Sequence, residues 1–285
     1  MQKLLPFPLT VLALGVNVAN ATWPDDIMLS QLGTWQGESF DQTDVIQDAY
    51  ARVVQQTGMA IANTPLGAAE TLGMNGFDVA LTSSVSFLEA NTGSAWQRVH
   101  PEADPSRAMW IPSLTVRKGL PLSLEAGAQL GYIAFSRQTR FGGWGRVGLL
   151  EGYKKLPDVT LQVGYAGYVG NSELALGTMD TSLVIGKTWA FGMLNGINTA
   201  SASPYIGVGQ YRIRAAPRID EGLLEDFGIA AVSGFSSSED FVEGYSPIAI
   251  HLGTRFLSGD FEVLLGSTIA PSVGASVSTG LGYVY

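Results

Sequence analysis

Two histidines, His100 and His251, make up the whole imidazole inventory of this 285-residue chain, and it contains no cysteine. Thiolate metal sites, thiol nucleophiles and disulfides are excluded, and so are His-rich metal centres and phosphotransfer between paired histidines. His251 stands four residues before Arg255 and has the chemistry of a general base, although filling a polar interior position is the commoner use of such a residue. His100, Glu102 and Asp104 place an imidazole beside two acids, a combination that acid–base catalysis could use. Between positions 215 and 243 lie Asp220, Glu221, Glu225, Asp226, Glu239, Asp240 and Glu243, with Arg218 as the lone cation. Their spacing lacks the Asp-x-Asp-x-Asp-Gly register of a dedicated calcium loop, so a solvated loop is the expectation. Gly142-Gly143-Trp144-Gly145 is followed by neither Lys-Ser/Thr nor a helix, so a bent strand or an aromatic girdle explains it better than a phosphate cradle. No catalytic residue, metal site or cofactor is expected.

The composition says where such residues would have to sit. Charged residues make up 14% of the chain, against roughly 25% in soluble proteins. Glycine accounts for 35 positions, and the mean hydropathy is +0.19. Past the N-terminal segment no apolar run approaches the ~18 residues that a membrane helix needs. A net charge of −9 and a pI near 4.7 argue against nucleic acid as a partner.

Three regions follow along the chain. Residues 1–21 read as an export signal: Lys3, then the apolar stretch Leu4 to Val16, then Ala19-Asn20-Ala21 as a small-x-small cleavage site. Within 22–75, Asp41 or Thr43 is placed to cap a helix running to about Gln56. Val45, Ile46, Ala49, Tyr50, Val53 and Val54 recur on one face, and Gly58 is the expected stop. Simple core packing accounts for such a helix, and the functional reading of the segment is a plug or a periplasmic lid.

From Gly76 onward the period is two. Phe77, Val79 and Leu81 alternate with Asp78, Ala80 and Thr82, and Ile248, Ile250 and Leu252 alternate with Ala249, His251 and Gly253. Ten strands, within a range of eight to twelve, are predicted over about 76–89, 109–119, 121–136, 140–152, 157–170, 173–190, 197–214, 244–257, 260–270 and 273–285. Globular strands average 5–6 residues; these are twice that, and the face opposite the apolar one is mostly Gly, Ala, Ser and Thr. Short connections fall at one end, and long ones (90–108 and 215–243) at the other. The predicted fold is all-β: a closed, antiparallel, up-and-down transmembrane barrel over 76–285.

The chain closes on Leu281-Gly282-Tyr283-Val284-Tyr285. A terminal aromatic preceded by apolar residues at alternate positions resembles the last strand of bacterial outer-membrane β-barrels. In that class the last strand carries the signal read by the barrel-assembly machinery, and Leu281, Tyr283 and Tyr285 match it. Gly67 to Gly73, leading into Gly76-Phe77-Asp78, is similar to uncharacterised members. The resemblance implies the cell outer membrane as location, and outer-membrane lipid and lipopolysaccharide as surroundings.

With apolar faces toward lipid, Asp78, Arg117, Glu125, Arg146, Arg212, Arg214, His251, Arg255 and Glu262 are expected in the lumen. Ion pairs among them would close it, with Arg255 and Glu262 meeting around the Ser258-Gly259 turn; hydrated, they would instead set the selectivity of a narrow pore. A structural or small-solute passage role is the leading expectation. The alternatives are a barrel-embedded hydrolase, for which no Gly-x-Ser-x-Gly elbow is present, and a secreted soluble all-β binding protein.

Overall fold

Strands that alternate apolar with small or polar side chains present two unlike faces, and a sheet closed on itself turns one of them outward and the other into a lumen. The computed structural model describes residues 23, 25–35, 38–39, 43–89, 94–100, 106–153, 155–194, 197–233 and 245–285. The export signal, Asp41, Glu102, Asp104, Glu239, Asp240 and Glu243 lie outside the described residues.

Ten antiparallel strands form the wall: β1 (Phe77–Phe87), β2 (Ala108–Leu120), β3 (Leu124–Tyr132), β4 (Thr139–Leu150), β5 (Asp158–Val169), β6 (Leu174–Gly186), β7 (Ile197–Pro217), β8 (Ile248–Ser258), β9 (Phe261–Ala270) and β10 (Gly274–Val284). Each pairs with the next, and β10 returns to β1 with Leu281 opposite Leu81 and Tyr283 opposite Val79. Reciprocal backbone bonds between Phe77 and Tyr285, 2.7 and 2.8 Å, finish the seam. The barrel has no open edge among these strands. β7 is the longest: β6 covers Tyr205–Pro217, β8 covers Ala200–Gln210, and the short strand Trp189–Leu194 continues the β6 side past Lys187 and Thr188.

The end of the barrel that carries Tyr285, here the base, has the short turns at 121–123, 151–157 and 259–260. The opposite rim carries the longer connections, with helices α2 (Ala95–Arg98) and α3 (Glu221–Phe227). The predicted strand over 121–136 is shorter in the structure because Leu122 and Ser123 take positive φ in the base turn and a second turn follows Tyr132.

Every barrel strand presents a large apolar side chain outward: Leu81, Leu114, Leu130, Phe141, Val163, Ile185, Ile206, Leu252, Leu265 and Leu281. Aromatics ring both ends of that band. Phe87, Trp110, Tyr132 and Tyr165 lie toward the rim, and Phe77, Trp189, Phe261 and Tyr283 toward the base. An apolar band between aromatic girdles matches a hydrocarbon slab between two aqueous interfaces.

The helix predicted in the N-terminal region is α1 (Thr43–Ile61), and it runs through Gly58 rather than stopping there. The reason is packing: a Cβ at Gly58 would sit 2.8 Å from the Ile213 side chain, so the glycine lets the helix approach β7. Ile46, Tyr50, Val53, Val54 and Ile61 pack against Ile111, Leu176, Tyr211 and Ile213 inside the rim half of the barrel.

A charge on the outer band is the direct check on its environment. Leu252→Arg, near the middle of β8, should cost roughly 2–4 kcal/mol of folding stability in a bilayer. Equal stability of this variant and wild type in denaturant titrations from vesicles would mean that the face does not meet lipid.

Candidate functional site

After α1 the chain runs down the lumen as an extended strap, residues 62–73, before entering β1. It adds to no sheet, so its peptide groups need partners from elsewhere, and burial without them costs free energy at each one. The wall provides them in order from rim to base. Thr178 Oγ1 donates to the Gly58 carbonyl at the end of α1 (2.9 Å), and Arg140 Nη2 donates to the Ala62 carbonyl (2.9 Å). Gln162 Nε2 donates to Asn63 (2.9 Å), and the Tyr205 hydroxyl donates to Pro65 (2.9 Å). Arg146 Nη2 donates to Ala68 (2.7 Å), and the Thr160 hydroxyl donates to Ala69. Toward the base the polarity reverses. The amides of Thr71 and Leu72 donate to Glu151 Oε1 (2.6 Å) and Glu125 Oε2 (3.1 Å). Gly73 then passes so close to Gly119 that any side chain on Gly119 would collide with its carbonyl.

An ionic layer closes the base. Arg117 joins Asp78, its cross-strand partner, to Glu262 at 2.8 Å, and Glu262 also takes Arg255 Nε at 2.7 Å. Glu262 reaches over Gly282 of β10, which has no side chain to obstruct it. Arg146–Glu125 (3.3 Å) and Lys187–Asp158 (3.5 Å) add two further pairs. Midway up, Asn63 bridges Arg140 (3.4 Å) and Asp180 (3.3 Å), so a strap amide links a wall cation to a wall anion. Between strap and wall remains a cavity of about 30 Å³ lined by Thr64, Arg117, Gln129, Arg140, Trp144 and Gln162. That is room for about two water molecules.

Of the residues nominated from sequence, Asp78, Arg117, Glu125, Arg146, His251, Arg255 and Glu262 point inward and are buried. Arg212 and Arg214 are corrected: both are exposed on the outer face of β7, in phase with Ile206 and Val208. Their neighbours Tyr211 and Ile213 are apolar yet face inward, because at that level the lumen is filled by α1. Trp144 is corrected too. It lines the cavity rather than a girdle, and Gly127 on β3 lacks the Cβ that would strike its ring.

His251 bonds Ser182 Oγ (3.2 Å) and Thr268 Oγ1 (3.0 Å). A serine beside an imidazole has nucleophile–base spacing. Here a hydroxyl replaces the orienting carboxylate, and both side chains are buried away from the cavity, so the trio is a polar crosslink between β6, β8 and β9. His100 is buried among the rim connections that form a cap over the lumen, just after α2, where its Nδ1–H donates to the Trp96 carbonyl (2.5 Å). Burial holds its pKa below the ordinary histidine value, against the smaller opposing pull of that carbonyl and of Asp25. Among the described residues no group of three or more His, Asp or Glu is arranged to hold a metal ion.

Sequence reasoning missed Arg140, Asp180, Gln162 and Asn63. Arg140 and Arg146 are an even number of residues apart on β4, and so share a face, which was a usable signal. Asn63 offered none, since its role exists only once a barrel surrounds it.

An apolar exterior, an ion-paired interior and a wall closed through β1 and β10 define a transmembrane β-barrel. No family model and no curated protein matches the chain. Solved structures similar to it include the N-terminal β-barrel domain of Pseudomonas aeruginosa OprF, at 9% identity and a TM-score of 0.29, covering 75% of this chain and 99% of that one. Acinetobacter baumannii Omp33 is similar at 10% identity and a TM-score of 0.30, covering 74% and 98%. LpxR from Salmonella typhimurium is similar at 9% identity and a TM-score of 0.35, covering 72% and 99%. The barrel assignment rests on the pairing register above, not on these likenesses.

Arg117 is the member of the base layer that touches two carboxylates. Arg117→Ala should leave Asp78 without its partner and Glu262 with Arg255 alone, costing about 3–5 kcal/mol. Chemical denaturation in detergent would measure it, and a loss below about 1 kcal/mol, the range of exposed pairs, would show the layer to be hydrated.

Proposed function

We propose that this chain is an integral barrel of a Gram-negative outer membrane, with a structural role in the envelope and a lumen sealed by residues 43–73 of its own sequence. The observation that carries this reading is the strap, whose peptide groups are engaged by side chains from Ala62 to Leu72, after Thr178 has taken the Gly58 carbonyl at the end of α1. Passage of small solutes, the other use of a charge-lined interior, would require the strap to leave the lumen that it and α1 occupy, and the cavity lined by Thr64, Arg117 and Arg140 holds only about two waters. Arg255 and Glu262 contribute to closure at the base, but α1 and the strap occupy the lumen above them. The apolar outer band supports contact with outer-membrane lipid, and Arg212 and Arg214 on the outer face toward the rim suit the phosphates of lipopolysaccharide. Neither the barrel-embedded hydrolase nor the soluble binding protein is favoured by any observation among the described residues.

Planar-bilayer recording of purified protein tests the sealed lumen. Wild type should give no steady conductance, and deletion of residues 43–73 should give stable open steps. A large steady conductance from wild type would replace this reading with a pore.

In this reading residues 1–21 direct export, and Leu281, Tyr283 and Tyr285 are the assembly signal. Leu281 and Tyr283 face outward, and Tyr285 bonds Phe77 at the seam, so recognition and closure fall on one strand. Deleting Tyr283 to Tyr285 should leave the chain in the periplasm, as read by membrane fractionation. Normal insertion of the truncated chain would remove the signal from these residues.

A further inference from the structure

Residues 23–33 are bound to the rim, not to the base. The Asp25 amide donates to the Phe135 carbonyl (3.1 Å), and Asp25 Oδ1 accepts from the Ser106 amide (3.2 Å). Met28 N bonds Val99 O (2.7 Å), and Asn171 Nδ2 bonds the carbonyl of Ile27 (2.8 Å). Ser30 gives both its amide and its hydroxyl to Glu173, at 2.8 and 2.9 Å. Three separate rim connections therefore grip this one segment. β1 nevertheless starts at the base, where Phe77 bonds Tyr285. The chain gets from one end to the other through the lumen.

The lengths agree. The 19 residues of α1 extend about 28 Å at 1.5 Å each, and a strap of a dozen residues reaches at most about 40 Å. Together they exceed the ~30 Å hydrocarbon thickness. An outside route through lipid would leave the strap's peptide groups unsatisfied, and the wall donors already hold it inside.

We infer that residues 43–73 cross the outer membrane within the barrel, so that residues 23–33, with the rim cap they bind, are displayed on the cell exterior. This rests on the outer-membrane reading above and on its usual orientation, with short turns toward the periplasm and long loops outside. A second consequence concerns the order of assembly. A filled lumen admits no later threading, so the strap is enclosed as the β1–β10 seam closes around it.

The absence of cysteine makes the test direct, because each introduced thiol is the only one. Three positions are exposed: Trp23 on the displayed segment, Gly222 in open space on α3, and Lys155 in a base turn. The variants Trp23→Cys, Gly222→Cys and Lys155→Cys are treated on intact cells with a membrane-impermeant maleimide, then again after permeabilisation. Trp23→Cys and Gly222→Cys should label on intact cells, and Lys155→Cys only after permeabilisation. Labelling of Gly222→Cys with protection of Trp23→Cys would overturn the transluminal route while leaving barrel and orientation standing. Labelling of Lys155→Cys alone on intact cells would overturn the display by inverting the barrel. Absence of all three variants from the outer-membrane fraction, with the unsubstituted chain also absent, would remove the outer-membrane reading and the display with it.

Discussion

A peptide group inside a barrel has no bulk water to turn to, and the strap through this lumen has no neighbouring strand either. Where its own backbone does not supply a partner, its carbonyls and amides are met by side chains, one at a time, and part of the buried polar interior serves that demand. Arg140, Gln162, Tyr205, Arg146 and Thr160 donate where the strap presents carbonyls, and Glu151 and Glu125 accept where it presents amides. The small residues of the wall, Gly119 and Gly127 among them, let the strap and Trp144 fit within ten strands.

The lumen is thereby filled in three layers of different chemistry. Near the rim, α1 buries an apolar face against Ile111, Tyr211 and Ile213, and the hydrophobic effect holds it there. At mid-height, Asn63 passes polarity between Arg140 and Asp180. At the base, Asp78, Arg117, Glu262 and Arg255 form a chain of contacts whose members cannot be removed singly without stranding a charge. Each layer uses the inward side chains available at that depth, and the strap is continuous through all three.

The barrel was legible in the sequence because period-two alternation is local. It needs no knowledge of what lies opposite, so the inward positions of Asp78, Glu125, His251 and Glu262 follow from counting. On β7 the count holds, but the rule that the apolar face is the outer one fails. There Tyr211 and Ile213 look like lipid-facing residues, but they serve a helix arriving from more than 150 residues earlier, and Arg212 and Arg214 take the outer face in their place. Gly58 looked like a helix stop for the same reason, since its use is contact with Ile213 rather than a left-handed turn. The strap itself has no period to read. Asn63 to Gly73 is mostly small and uncharged, and only the surrounding wall gives it a conformation.

Because the wall grips the strap largely by its backbone, the two sides of that contact are under unequal constraint over evolutionary time. A carbonyl at position 62, 65, 68 or 69 is present whatever side chain the gene specifies there. The donors Arg140, Tyr205, Arg146 and Thr160 are side chains and are lost with one codon. Descendants of this sequence would therefore keep the wall residues while the strap drifts among small amino acids. That drift is limited by volume, by the side chain of Asn63 where it joins Arg140 to Asp180, and by backbone conformation where Gly67, at φ +125°, lies against the Arg117 guanidinium.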